Sequence, residues 1–287
     1  MSRFYVSDLD GTLLNELGQL SAESRTLLTA LLEDGLTFTV ASARSVASIR
    51  PILHGLPLRL PVIEFNGAFI TDLATGQHWN VNDMQREVVE SVFSLIVRHR
   101  QSPFVSSFDG KQDRLYYRDI INPGMRNYLD QRISMRDPRL CSTTRLEDAF
   151  GEQVVSLTVI GEAAPLAALQ SEILELHAES VETHFFEDLY FPGWPWLTVH
   201  DKRASKDQAI RLLATEHGLD SHELVVFGDQ INDAGMFRTA DRSIAVANAI
   251  ADLKREASHV IGHHAEHAVA RFIHQDWLGQ GSSICGH

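Results

Sequence analysis

Cysteine is almost missing from this sequence: Cys141 and Cys285 are the only two in 287 residues. They are too far apart for a disulfide framework and show no metal-type spacing, so a reducing compartment is the simpler expectation. Long apolar runs are missing too. None approaches the roughly 20 residues of a membrane span, and the first ten residues contain two acids and no apolar leader core. A soluble cytoplasmic protein is expected. Positive charge is also short, with 25 Lys and Arg against 38 Asp and Glu, a net charge of -13 and a pI of about 5.5. That balance argues against nucleic acid or an anionic membrane as partner. P-loop and dinucleotide fingerprints, internal repeats and low-complexity tracts are absent.

What remains is 44% hydrophobic and 22% charged, the composition of a globular chain with a real core. Residues 4–6 read as a short strand, followed by a helix over 22–34 with Leu27, Leu28, Leu31 and Leu32 on one face and Gly35 closing it. A strand over 37–41, a helix near 46–53 and a strand over 62–65 follow. The last third repeats the pattern, with a helix over 206–217, a strand over 224–227 and shorter strands at 243–246 and 259–261. Strand, helix and strand with short connections imply a doubly wound parallel sheet of Rossmann type. The middle reads differently: a helix over 84–99, strands over 104–108 and 114–118 joined through Asp109-Gly110, a strand over 154–160, a helix over 164–177 and a strand over 181–186. The expectation is an α/β core from residues 1–82 and 191–287, with an antiparallel α+β unit inserted at 83–190. The tail from residue 279 is expected to be loose.

Chemistry is concentrated at strand ends. Asp8-Leu9-Asp10-Gly11-Thr12 follows the first strand, and residues two apart on extended chain face the same way. One carboxylate of such a pair can act as nucleophile while the other exchanges a proton with the leaving group. The spacing does not suit a calcium loop, because the sixth position is Leu13 and the twelfth Gln19. Gly228-Asp229-Gln230-Ile231-Asn232-Asp233 follows a second strand, so acids from two strand ends can meet above one sheet in an oxygen-rich site suited to Mg2+. Asn232 or Asp233 could equally be only a helix cap.

These two segments resemble the first and fourth motifs of the haloacid dehalogenase superfamily, and the other two motifs follow in order. Ala41-Ser42-Ala43-Arg44 resembles the segment whose hydroxyl holds phosphate, and Lys206 the lysine that neutralises nucleophile and phosphoryl group. An insert between the second and third motifs, with the Asn66-Gly67-Ala68 and Val246-Ala247-Asn248-Ala249 turns, resembles the Cof-like branch. The resemblance implies a Mg2+-dependent phosphatase of small phosphate monoesters, sugar phosphates first, then pyridoxal phosphate or flavin mononucleotide. It implies Asp8 as nucleophile and Asp10 as acid and base. Mg2+ would rest on Asp8, the Asp10 carbonyl and Asp229, with Asp233 close behind. Ser42 and Lys206 would hold the phosphoryl group, and Arg44, Asn66 and Asn232 are candidate substrate contacts, with anchoring of the motif as the alternative for Arg44. The inserted cap would close over the site and choose the leaving group, with Lys111, Arg114 and Arg118 as its candidate specificity residues.

A phosphomutase, a dehalogenase and a non-enzymatic phosphate sensor are the alternatives, and a monomer or weak homodimer is expected. Two departures stand out: Ala43 where the family commonly has Gly, and Asp207 after Lys206, which could bring an extra acid near the site. His263 and His267 have helical spacing for a shared metal but lack a completing ligand. The aromatic run of residues 190–196 reads as packing before substrate stacking.

Overall fold

The computed structural model describes residues 2–187 and 191–284, so Tyr190 and Cys285 lie outside the described residues. The chain runs through β1 (Arg3–Ser7), α1 (Ala22–Glu33), β2 (Thr37–Val40), α2 (Val46–Leu53), β3 (Val62–Glu64), β4 (Phe69–Thr71) and β5 (His78–Val81). Next come α3 (Arg86–Arg98), β6 (Pro103–Phe108), β7 (Asp113–Tyr117), α4 (Pro123–Ser134) and β8 (Leu140–Ser142), then β9 (Gln153–Ile160), α5 (Ala163–His177), β10 (Val181–Phe186) and β11 (Trp196–Asp201). The last stretch holds α6 (Lys206–Glu216), β12 (Glu223–Gly228), α7 (Ala234–Thr239), β13 (Arg242–Ala245), α8 (Ala251–Glu256), β14 (His259–Val260) and α9 (Ala268–Ile284). Two compact units result: Met1–Trp79 with Ser205–His287, and Asn80–Ala204. Among the described residues no helix is long and apolar enough to cross a membrane.

In the first unit five strands run parallel in the order β14-β13-β12-β1-β2. β1 lies between β12 and β2 and is apolar on both faces, with Phe4, Tyr5 and Val6 all buried, as a strand covered on two sides requires. From β1 the chain proceeds through α1 to β2 on one side; from β12 it proceeds through α7 to β13 on the other. The switch point of the sheet therefore lies between β1 and β12, where a crevice opens at the carboxyl ends of strands. The α1 helix starts at Ser21, whose hydroxyl caps Ser24 N–H at 3.0 Å. It ends one residue earlier than expected, before Asp34, and Gly35 follows at φ +96.

The second unit is a six-stranded sheet in the order β10-β11-β9-β6-β7-β8, antiparallel except for β7 with β8. Alternation along β6 and β9 splits its apolar side chains between two clusters. Val105, Leu157 and Val159 join Val92 and Ile96 of α3 and Leu169 and Ile173 of α5, whereas Phe104 and Ile160 join Met125 and Leu129 of α4.

Three expectations need correction. The second boundary falls after Ala204 rather than after residue 190, because β11 is held in the inserted sheet between β10 and β9. The α4 helix was not anticipated, since its weakly amphipathic sequence hides it; its marks are the Asn122 cap on Met125 N–H and Pro123 at the first turn. The chain past residue 279, expected as an irregular tail, is helical as far as Ile284, the end of α9.

Candidate active site

The two strand-end segments meet at the switch point. Asp8 directly follows β1 and its N–H donates to the Phe227 carbonyl of β12 at 3.0 Å. The chain then turns through residues 9–13, where Gly11 has φ +71, a conformation glycine adopts freely. A Cβ on Gly11 would sit 2.4 Å from Asp229 Oδ2, so the turn passes against that carboxylate only because the side chain is absent. Among the described residues Asp8, Asp229 and Asp233 are the one set of three potential metal ligands whose atoms lie within 4.8 Å of one another. Thr12 donates to Asp229 Oδ1 at 3.1 Å. Asp233 Oδ2 accepts from the N–H groups of Asp229 and Gln230 at 2.9 and 3.1 Å, which shapes the loop after β12.

Lys206 completes the cluster. It is the first residue of α6, where a helix dipole disfavours a cation, and it is 2% exposed. Its Nζ donates to Asp8 Oδ1 at 2.5 Å and to Asp233 Oδ1 at 2.7 Å. Burial works to strip its proton, but Asp233 and Asp8 outweigh burial and hold the ammonium above its ordinary pKa. Burial raises the Asp8 carboxyl well above the usual range; Lys206 opposes the rise, while Asp233 and Asp229 add to it. Burial, then the charge of Asp233, pushes Asp229 to about 7. The cluster is short of positive charge.

Arg44 and Asp10 form a bidentate pair, with Nε to Oδ2 at 2.7 Å and Nη2 to Oδ1 at 2.6 Å. The guanidinium, expected to contact substrate or to anchor the motif, holds the second carboxylate of the Asp8–Thr12 segment. The buried Ser42 hydroxyl accepts from Arg44 N–H at 3.1 Å and keeps its own proton to donate. Asn232 donates from Nδ2 to Asn66 Oδ1 at 3.1 Å, so these two candidates bind each other. Phe65, Asn66 and Gly67 all have positive φ, at 48, 55 and 108, and left-handed backbone at a bulky residue is strained. The strained turn packs on the start of α6, since a Cβ on Gly67 would meet the Ser205 carbonyl oxygen at 2.4 Å.

A family model described as haloacid dehalogenase-like hydrolase matches residues 5–273. The chain is a haloacid dehalogenase-like hydrolase. It is similar to the 5-amino-6-(5-phospho-D-ribitylamino)uracil phosphatase YwtE of Bacillus subtilis, 25% identical over 95% of this chain and 97% of that one. It is also similar to an HMP-PP phosphatase of Serratia proteamaculans, 28% identical over 97% of this chain and 96% of that one. Among solved structures, a haloacid dehalogenase-like hydrolase from Bacteroides thetaiotaomicron superposes with a TM-score of 0.78 at 22% identity, covering 96% of this chain and 99% of that one.

The hydrolase has site residues that sequence reasoning passed over. Asn248 Nδ2 donates to the Gly11 carbonyl at 2.7 Å, and Asn248 Oδ1 accepts from His264 N–H at 3.1 Å, which ties the turn after Asp8 to the segments that follow β13 and β14. The signal was the turn at residues 246–249, noted only as a likeness. The departures prove mild. Ala43 does not need positive φ, and Asp207 lies against Gly235 and 3.8 Å from Arg211, not in the acidic cluster. His263 and His267 do not share a helix: His263 caps a short turn and His267 is left-handed at its end. In the second unit Arg114 is paired with Asp109, drawing that carboxyl down to about 2, and Arg118 is paired with Asp119. Trp196 packs edge-on against Tyr128 at 4.9 Å, the behaviour of a packing residue.

Proposed function

We propose that this hydrolase is a Mg2+-dependent phosphatase of small-molecule phosphate monoesters that works through an aspartyl-phosphate on Asp8. The observation that carries the reading is the buried Lys206 ammonium lodged between Asp8 and Asp233, with Asp229 in the same cluster. The donor set fits a hard divalent cation, because every ligand atom on offer is oxygen. Three carboxylates against one ammonium leave two negative charges uncompensated when all are ionised. Asp8, Asp229 and the Asp10 carbonyl would hold the ion. Asp233, with its oxygens engaged by Lys206 and two main-chain N–H groups, would orient that set from behind. Once bound, the cation supplies the missing positive charge to carboxylates and phosphoryl oxygens.

Asp8 attacks phosphorus, the bond to the alcohol oxygen breaks, and that oxygen takes a proton from Asp10. Asp10, now a carboxylate, takes a proton from the water that attacks the aspartyl-phosphate; inorganic phosphate leaves and Asp8 is restored. Arg44 holds both Asp10 oxygens in the resting geometry, so one of those bonds opens when Asp10 carries its proton. The Ser42 hydroxyl and Lys206 hold phosphoryl oxygens, with stabilisation greatest as charge develops. Asn66 and Asn232 border the site as candidate substrate contacts.

The test is release of inorganic phosphate from p-nitrophenyl phosphate and from a panel of sugar phosphates, pyridoxal phosphate, flavin mononucleotide and the two substrates named by the relatives. Turnover with Mg2+ and none in chelator is expected. Metal-replete, folded protein that hydrolyses nothing on the panel, or that only moves phosphate between positions of a hexose phosphate, would displace this reading.

A further inference from the structure

Glu64, the last residue of β3, is fully buried. A buried carboxylate is costly unless hydrogen bonds satisfy it, and the position of its partners shows what it does. One oxygen accepts from Val46 N–H, the first residue of α2. The cap residue of that helix, Ser45, makes no side-chain cap bond of its own, so Glu64 supplies from a neighbouring strand the acceptor that α2 lacks locally. The other oxygen accepts from the Thr71 hydroxyl. His78 Nδ1 lies 2.7 Å from the same hydroxyl. A hydroxyl has one proton, and the Thr71 proton goes to Glu64, so His78 must be the Nδ1–H donor to Thr71. The His78 ring is fixed in turn by stacking on Phe69, with centroids 4.0 Å apart.

The main chain around Glu64 grips the same target. Ser42 N–H donates to the Ile63 carbonyl at 2.9 Å, Asn66 N–H to the Ser42 carbonyl at 2.9 Å, and Phe65 N–H to the Arg44 carbonyl at 3.1 Å. Residues 42–46 are therefore clasped along residues 63–66 by three main-chain bonds and one side-chain bond, and only the last depends on residue type. We infer that Glu64, braced by Thr71 and His78, is a positioning residue that sets the Ser42 hydroxyl and the start of α2 against the phosphoryl group. This rests on the phosphatase reading of the site.

The test compares Glu64→Leu, which removes the cap, with Glu64→Gln, whose amide oxygen can still accept from Val46 N–H while its NH2 turns to Thr71. Inorganic phosphate is the probe, as a competitive inhibitor of p-nitrophenyl phosphate hydrolysis by the full chain with Mg2+. Misplaced binding groups cost up to about 100-fold, so Glu64→Leu should raise the phosphate inhibition constant and KM together by about 10- to 100-fold, with kcat changing less. Glu64→Gln should restore most of the loss. Hydrogen exchange at Val46 should accelerate in Glu64→Leu and stay near parental in Glu64→Gln. If Glu64→Leu does not fold, Thr71→Val removes the brace and should still weaken phosphate binding several-fold. A folded Glu64→Leu or Thr71→Val protein with parental inhibition constant and KM overturns the positioning role, even if its melting temperature falls. A parent protein that neither binds inorganic phosphate nor turns over the ester overturns the phosphatase reading, and the positioning role with it.

Discussion

Removing the divalent cation should destabilise the hydrolase in a way that depends on pH, and the sign follows from Asp229. Its folded pKa is raised to about 7 from an ordinary 3.8. A raised carboxyl contributes stability that is present below its unfolded pKa and lost as pH rises through its folded one. Metal-free protein therefore loses this contribution between about pH 4 and pH 7, at about 1.4 kcal/mol per unit and about 4 kcal/mol at most. A bound cation requires the ionised form, so protons compete with it. At pH 5, two units below about 7, roughly 1% of Asp229 is ionised, and affinity should be about 100-fold weaker than at pH 8, worth about 3 kcal/mol.

His200 complicates a simple comparison of melting temperatures. Burial, helped by His184, lowers it to about 3, so it adds stability as pH rises over much of the same window, opposite in sign to Asp229. The useful quantity is the gain from Mg2+ over chelator at each pH, from which His200 cancels. That gain should be small at pH 5 and larger at pH 8 by roughly 5–10 °C, given about 2–4 °C per kcal/mol for chains near this length. A gain from Mg2+ equal at the two pH values, or larger at pH 5, would refute the account of the acidic cluster.

Four further perturbations address single residues. Asp8→Asn should reduce turnover to background with no trapped phosphate, whereas Asp10→Asn should accumulate phosphate on Asp8 in a rapid-quench experiment. General acid–base help worth about 10²–10⁴ falls mainly on the second step with an activated ester; labelled phosphate on another residue would contradict both roles. Arg44→Lys cannot make the bidentate contact with Asp10, so kcat should fall about tenfold while the phosphate inhibition constant moves little; an inhibition constant that rises instead would assign Arg44 to substrate. Gly11→Ala drives a methyl into Asp229 and strains a φ of +71, so the Mg2+ concentration for half activation should rise at least about tenfold; unchanged activation would mean that the turn does not set Asp229.

Legibility in the sequence tracked how local each signal was. Asp8, Asp10, Asp229 and Lys206 each lie in a short segment directly before or after a regular element, and the parallel topology brings strand ends together whatever the loops do. Pairings across the chain were not readable. Arg44 is 34 positions from Asp10 and Asn66 is 166 from Asn232, and nothing in either segment says that it will find the other. The inserted unit was read in outline, but β11 was assigned elsewhere because its six residues pair with strands on both sides only after the sheet has formed. Glu64 lies in a strand expected over residues 62–65, and nothing in that segment shows that it will meet a helix that starts eighteen residues earlier in sequence.

The acidic balance of the chain seemed at odds with an anionic substrate, and the site resolves that locally. Net charge acts through solvent and is screened over about 8–10 Å, whereas the groups that meet a phosphoryl oxygen act at contact and in a buried setting. Residues 42–46 lead into the N-terminus of α2, and Lys206 opens α6, so the site is bordered by two helix ends whose N–H groups and dipoles favour an anion. Glu64 spends part of the first of these fields on Val46 N–H, which fixes the helix start while taking up only one of its donors. The buried ammonium supplies a full positive charge, and a cation among Asp8, Asp229 and Asp233 would turn their repulsion into binding. Each of these sources is a matter of geometry. A chain with a net charge of -13 can therefore hold an anion where such donors converge, and mutations that change surface charge far from residues 8–12, 42–46, 206 and 229–233 should leave phosphate binding nearly unaltered.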